Sequence, residues 1–400
     1  PHRLSRDDHP LMGALDGIRV VEAGLLVQGP QAAATLGAWG ADVVKVELPG
    51  FGDQARWLPA DAGNPRSAFF EACNRGKRSV TLDLRTGGGA EAFLRLAAAA
   101  DVVITNFKAG TMEGWGLGYE EVAARNPGVV YAAGSTFGQV GPDAGREGAD
   151  LSGQAAGGLI STTGRAGGEP TPVGATVADH IGAQNLVGGI LAALLARQRT
   201  GRGQKVETSL LGSQMWAQAS EITRYLLTGR TAGPATRGNA MVPGLYGIFP
   251  TADGWIALVG VVGPARTVFF AAIGRPDLGE RFPQLLYWEE EKAALFPVLD
   301  SVFAERSTAE WGATLNAAGV RWAPVRDHAD VAADEGAWAN GYLESVEGET
   351  VVLPPVRFSD TPAQAWASPA PELGQHTEEV LLEAGYTWDE IGVLRDEGVL

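Results

Sequence analysis

The chain predicts an α/β protein in which a mostly parallel sheet, covered by helices, is joined to a second, smaller α+β domain. Three observations predict it. Between residues 18 and 135, short valine-rich runs alternate with helical stretches. Strands joined through helices run parallel, because the crossover returns the chain to the same edge of the sheet. Beyond residue 229 the pattern changes to a hairpin signal followed by helices. Finally, 45% of the 400 residues are hydrophobic and 20% charged, enough to bury one or two large cores.

The first unit opens with a strand over 18–22, a helix over 30–39 and a strand over 42–48. Pro30 suits the helix start, where the N–H that proline lacks has no partner to lose. Strands over 79–84, 101–107 and 129–135 then alternate with helices over 89–99 and 119–125. Ligands of such sheets sit beyond the carboxyl ends of the strands. The loops 24–30, 49–56 and 106–110 therefore share one rim. Residues 137–172, rich in Gly, Ala, Ser and Thr, read as a long irregular connection of the kind that is commonly functional.

Next comes the loop Val173-Gly-Ala-Thr-Val-Ala-Asp-His-Ile-Gly-Ala-Gln-Asn185, which runs into a strongly apolar helix. Val187, Ile190, Leu191, Leu194 and Leu195 recur at helical spacing, and Gly201 follows a basic last turn with Arg197 and Arg199. Asp179 at its head has two readings that do not exclude each other. It is an N-cap, accepting unpaired backbone N–H groups, or it is a nucleophile. A strand over 205–208, a helix over 210–227 and a Gly/Pro/Thr-rich linker over 229–243 follow. In the smaller domain, 247–250 and 255–259 flank the turn Thr251-Ala-Asp-Gly254, with helices over 264–273, 288–304 and 308–318. Residues 351–356 and the helices from Thr377 are apolar enough to return to the first core. The expected division is 11–228, 229–330 and 331–400, after a polar arm over 1–10.

A net charge of −16 opposes sequence-independent binding to nucleic acid or an anionic membrane. The single cysteine, Cys73, reads as a buried small hydrophobe and allows no internal disulfide, which fits a reducing cytoplasm. The longest apolar run, 186–196, is too short to span a bilayer. Dinucleotide, nucleoside-triphosphate and serine-hydrolase signatures are all absent, so no nucleotide cofactor is expected. The five histidines (His2, His9, His180, His328 and His376) have no metal-ligand spacing, and no metal is expected. The basic segment Asn74-Arg-Gly-Lys-Arg78, joined by Arg85, is either a phosphate grip or a solvated turn.

Several motifs in order extend over nearly the whole chain. They are Leu15-Asp-Gly-Ile-Arg-Val20 with Gly29-Pro30, Gly40-Ala-Asp-Val-Val-Lys-Val-Glu47 with Pro49-Gly-Phe-Gly-Asp53 and Arg56, and Asn74-Arg-Gly-Lys-Arg-Ser79 with Leu82-Asp-Leu84. Asp101, Asn106-Phe107, Asp179, Arg197-Gln-Arg-Thr-Gly-Arg-Gly-Gln204, Ser209-Leu210, Ala323-Pro-Val325 and Leu373-Gly-Gln-His-Thr377 complete the series. In order and spacing the chain resembles the class III CoA-transferase family, which includes formyl-CoA:oxalate and carnitine CoA-transferases and the related α-methylacyl-CoA racemases.

That resemblance implies a Rossmann-like large domain built from both chain ends, a small domain from the middle, and two identical subunits threaded through each other as linked rings. It implies transfer of CoA between an acyl-CoA thioester and a small carboxylic acid, with the residue matching Asp179 attacking the acyl carbon. Exchange between a thioester and a carboxylate is near thermoneutral, so neither ATP nor a metal is needed. Aspartate is expected to act without a base because it is ordinarily ionised at neutral pH. By the same resemblance Asn106 and Phe107 border the CoA chain, Leu82 and Arg85 lie near its adenosine end, and Lys77 and Arg78 hold phosphate. Asp150 matches a carboxylate near the nucleophile. Gln28 lies one position after a glutamine that orients the intermediate in formyl-CoA transferases.

Some positions depart from the pattern. Leu48 and Gly114 stand where some members carry CoA-contacting arginines, and the glycine-rich run expected around 237–247 is not there, which points away from formate or oxalate. A racemase needs a histidine where this chain has Ala149 and a glutamate where it has Pro250, and without a base within reach proton transfer has no mechanism. A non-catalytic CoA-binding partner subunit would have no need of Asp179. Arg146, Arg224, Arg237 and the tryptophans are candidates to line the acyl pocket.

Overall fold

The computed structural model describes residues 13–235, 237–282, 289–362 and 368–400. The arm over 1–10 and the first residue of the helix expected from 288 lie outside the described residues. Six strands, β1 (Arg19–Ala23), β2 (Asp42–Glu47), β3 (Arg78–Thr81), β4 (Val102–Thr105), β5 (Val130–Ala133) and β6 (Gln204–Glu207), form one parallel sheet in the order β3-β2-β1-β4-β5-β6. This is the doubly wound order, and its switch point between β1 and β4 opens a crevice at the carboxyl ends. Around it run α1 (Gln28–Ala38), α2 (Ala68–Asn74), α3 (Gly87–Ala98), α4 (Thr111–Gly114), α5 (Tyr119–Arg125), α6 (Asp150–Ala156), α7 (Val177–Thr200) and α8 (Leu210–Ala217).

The chain divides into two compact units, with boundaries that differ from the expected ones. One contains the chain through Gly157, Ala175–Ala217 and Glu335–Leu400; the other contains Gly158–Gly174 and Gln218–Asp334. Part of the connection expected to be irregular is therefore α6. Glycine makes this helix legible only in three dimensions: a Cβ on Gly153 would lie 2.6 Å from the Leu210 side chain. The helix expected over 210–227 breaks at Gln218, where the backbone leaves the helical region, and α9 (Ala219–Thr228) belongs to the second unit.

In that second unit β7 (Leu245–Pro250), β8 (Trp255–Val261) and β9 (Trp322–Pro324) form an antiparallel sheet, whose third strand the periodicity does not reveal. It is accompanied by α10 (Ala265–Ala272), α11 (Asp277–Arg281), α12 (Glu289–Phe303), α13 (Thr308–Ala317) and α14 (His328–Ala332). Its core is aromatic: Phe249 meets Phe296 edge-on at 5.0 Å, and Phe303 meets Trp311 at 4.9 Å. Arg237 is committed there to Asp300 through two hydrogen bonds.

The chain then returns to the first unit through α15 (Glu335–Ala339), the unanticipated hairpin β10 (Leu343–Val346) and β11 (Glu349–Val352), and helices α16 (Thr377–Glu383) and α17 (Trp388–Asp396). Alternation along each strand explains why its valines come in pairs. Val21, Val44, Val103 and Tyr131 face a core closed by α3, α5 and the C-terminal Val380, Leu381, Ile391 and Leu394. Val20, Val43, Val102 and Val130 face a core closed by α1 and α7. Each fully buried aliphatic side chain of this kind stabilises the fold by about 1.5–3 kcal/mol. No helix among the described residues is long and apolar enough to cross a membrane.

Candidate active site

At the carboxyl end of the parallel sheet two clefts adjoin. The larger, about 450 Å³, is walled by Leu25, Gln28, Asn106, Phe107, Arg146 and Asp179 among others. The smaller, about 230 Å³, is mainly apolar and includes Leu48, Phe51, Leu82, Leu84 and Arg85. Leu25, Phe107, Gln54 and Trp115 belong to both, so the clefts are continuous. All three loops assigned to one rim meet here. An elongated ligand spanning both would contact Asp179 at one end and Leu82 and Arg85 at the other.

Asp179 is not the cap of α7. It is the third residue of the helix, and the capping carboxylate comes from α6. Asp150 Oδ1 accepts the N–H of Ala178 at 2.7 Å and that of Asp179 at 3.2 Å, while its Oδ2 accepts from Gln154 Nε2 at 2.6 Å. The consequence is electrostatic. Burial first, and the Asp150 charge second, push the Asp179 carboxyl up to about 7. A helix start would by itself favour the anion, but Asp150 already occupies that position. Asp179 therefore ionises less readily than the ordinary aspartate the sequence suggests.

Gln28, in the first turn of α1, is buried at 3% exposure. Two glycines make its slot: a Cβ on Gly134 would lie 2.4 Å from its Oε1, and a Cβ on Gly182 would lie 2.8 Å from its Nε2. Gly182 stands one turn beyond Asp179 on α7. Gln28 Nε2 has no hydrogen-bond partner among the described residues, a condition that costs about 1–3 kcal/mol. The amide donor thus lies against Gly182 of α7 with its hydrogen bond unmade.

Asn106, at the end of β4, spends its amide on the loop after β1: Oδ1 accepts from Leu25 N and Nδ2 donates to Leu25 O, each at 2.8 Å. Glycines 24 and 29 leave room for it, since a Cβ on either would lie 3.0–3.1 Å from Asn106 Oδ1. Phe107 packs edge-on against Trp115 at 5.3 Å. Arg85 is exposed on the rim of the smaller cleft, paired with Asp83 at 2.8 Å. Leu82 is fully buried in that cleft's wall. His180, next to Asp179, turns instead to a separate cavity of about 720 Å³, with its Nδ1 2.5 Å from Gln31 Oε1.

Two residues assigned to phosphate are placed elsewhere. Lys77 is buried, and its ammonium is consumed by Glu22 Oε2 at 2.7 Å, Pro30 O at 2.8 Å and Asn74 Oδ1 at 2.9 Å. Arg78 opens β3, so it lies at the amino end of the parallel sheet, opposite the clefts. There it pairs with Asp42 at 2.7 Å and Glu383 at 2.9 Å. Neither side chain has a donor free at the cleft. Arg146 and Lys108 do line the Asp179 cleft; Arg146 lies over Phe137 and pairs with Asp143, and Lys108 pairs with Glu147. Among the described residues no three of His, Cys, Asp and Glu converge as metal ligands would.

Comparison with known proteins places this geometry in context. The model of CoA-transferase family III matches residues 15–377. The chain is 35% identical over 384 residues to the succinate–glutarate CoA-transferase of Agrobacterium fabrum, covering 92% of this chain and 95% of that protein. It is 35% identical over 401 residues to the succinyl-CoA:mesaconate CoA-transferase of Haloarcula hispanica, covering 94% and 97%. The crystal structure of a CaiB/BaiF family protein from Brucella suis matches with a TM-score of 0.83 at 34% identity, over 93% of this chain and all of that one.

Proposed function

The chain belongs to CoA-transferase family III and is a CoA-transferase; from that premise we propose that it moves CoA from succinyl-CoA to a small dicarboxylic acid through a covalent intermediate on Asp179. The observation that carries this reading is the half-buried Asp179 carboxylate at the head of α7, lining one cleft with Gln28, whose amide is unpaired. The ionised carboxylate attacks the thioester carbon and expels CoA thiolate, leaving a mixed anhydride. The thiolate then attacks the aspartyl carbonyl, which releases succinate and leaves an aspartyl thioester. The acceptor carboxylate reverses both steps and regenerates Asp179. Covalent catalysis divides one difficult exchange into easier ones.

Gln28 Nε2 supplies a donor to the oxygen that gains charge in each step, the kind of contact worth about 10²–10³ in rate. Asp150 holds the helix start that presents Asp179. Arg146 and Lys108 offer a distal carboxylate on the acyl group charge-assisted hydrogen bonds, and the relatives named for succinate, glutarate and mesaconate support that substrate class. Phe107, Leu82 and Arg85 border CoA, with the aliphatic Leu48 on the same apolar wall. Proton-transfer chemistry gains no support, because the histidine beside Asp179 faces away from this cleft. We further propose a homodimer of linked rings, consistent with the exposed Trp216 on α8 and Leu226 and Leu227 on α9.

The test is mass spectrometry of protein incubated with succinyl-CoA and quenched with hydroxylamine. A hydroxamate on Asp179, lost in Asp179→Ala together with turnover, supports the reading. Turnover retained by D179A removes it.

A further inference from the structure

We propose that Asp53 is a positioning residue for transfer, which holds Leu26 in a left-handed backbone conformation and thereby sets the wall of the Asp179 cleft. This rests on the transferase reading above. Leu26 is a non-glycine residue at φ 62°, a region in which an L side chain crowds its own carbonyl. It lies between two residues that matter to the site, Leu25, which lines both clefts, and Gln28, which carries the unmade hydrogen bond.

Three side chains fasten this loop from behind. Lys45 Nζ donates to Gly24 O at 3.0 Å, Asn106 brackets Leu25 through both its N–H and its carbonyl, and Asp53 Oδ1 accepts the Leu26 N–H at 2.9 Å. Asp53 is itself held by three contacts. Its Oδ2 lies 2.9 Å from Lys45 Nζ, its Oδ1 also takes the Ala55 N–H, and its own N–H donates to Glu47 Oε2, both at 2.9 Å. Behind it Lys45 and Lys77 grip the two oxygens of Glu22, and Arg56 grips Glu47. Lys45, Glu22 and Asp53 have fully buried side chains.

A buried ionic cluster is a poor source of net stability, because desolvation offsets the attraction. An apolar core would hold β1 and β2 together as well. What it could not do is receive the Leu26 N–H in a fixed direction and oppose rotation of that residue to the ordinary side of the Ramachandran map. Backbone strain of this kind persists only where its surroundings over-determine it. The strained residue here is two positions from the amide donor. Release of Leu26 would therefore move Gln28 and the first turn of α1 relative to Asp179.

Asp53→Asn keeps the shape but has one acceptor where Asp53 uses two, so its NH2 must face either Lys45 Nζ or the Leu26 and Ala55 N–H groups, and the hold on Leu26 is weakened. The expected result is a fall in kcat of about 10²-fold, the effect of an ångström-scale misplacement, with an unchanged KM for succinyl-CoA and slower hydroxamate formation on Asp179. Adding Leu26→Gly, which adopts the left-handed conformation without steric cost, is expected to restore most of the lost kcat. A purely structural role gives no such rescue, since glycine loosens the chain further. Should D53N give no folded protein, D53E serves instead, because it retains the charge beside Lys45 and displaces the acceptor by one methylene; the same loss and rescue are expected. Wild-type rates in the Asp53 variant, or a loss that L26G leaves untouched, overturn the proposal. Absence of an Asp179 adduct in the wild-type protein overturns the transferase reading and this role with it, whereas equal adduct rates in wild type and variant overturn this role alone.

Discussion

Asp150 accepts the backbone N–H of Asp179 across 29 residues of sequence, so one acid caps the helix that presents the other. The same contact orients α7 and places a negative charge beside the nucleophile. Asp150→Asn retains the cap and removes the charge. The acid limb of the kcat/KM profile, expected near pH 7 in the wild type, moves to lower pH in this variant. Burial is the larger cause of the shift and persists, so the limb stops short of the ordinary carboxylate range. A pH–rate profile of both proteins checks this, and an unmoved limb refutes the electrostatic coupling.

Asp179 also makes stability depend on pH. Its folded value, about 7, lies above the ordinary 3.8, so the folded state holds the proton more tightly than the unfolded one. Its contribution is fully present below pH 3.8 and is lost as pH rises through 7. Asp179→Asn, which does not titrate, is expected to melt above the wild type at pH 8, with the gap closing on acidification. Thermal melts across pH measure it. A gap that widens toward acid contradicts the assigned direction.

Removal of the amide in Gln28→Ala is expected to lower kcat by about 10²–10³-fold, as loss of an oxyanion donor does. Steady-state kinetics with succinyl-CoA distinguish this from a binding effect, which would appear in KM.

Lys77 is internal, and its replacement is therefore a stability experiment. Lys77→Met leaves Glu22 with Lys45 alone and is expected to cost about 3–5 kcal/mol by denaturant unfolding, the usual result of breaking a buried pair. KM for succinyl-CoA in the folded fraction stays unchanged. A raised KM without destabilisation would restore the phosphate role.

Sedimentation of the purified chain is expected to give a homodimer that resists dilution, as threaded rings cannot part without local unfolding. Replacement of the exposed Trp216 or Leu227 by serine is expected to lower dimer yield. A monomer at micromolar concentration that turns over succinyl-CoA argues against the assembly.

The amino-acid sequence by itself determined the parallel sheet, α7 and the shared rim. Paired valines such as Val20-Val21 and Val102-Val103 can be buried only in strands covered on both faces. The apolar spacing after Asp179 closes a helix on Gly201. Both are local patterns that any register of the fold would preserve. Arg78 was misassigned to phosphate, although the expected strand over 79–84 put it at the end opposite the ligand rim, where it pairs with Asp42 and Glu383. Tertiary structure alone decided which groups meet. The Asp150 cap, the slot of Gln28 between Gly134 and Gly182, the burial of Lys77 against Glu22 and the hold of Asp53 on Leu26 join residues 27 to 154 positions apart. Hydrogen bonds and desolvation depend on where atoms lie in space, and spacing along a chain encodes that only within an element.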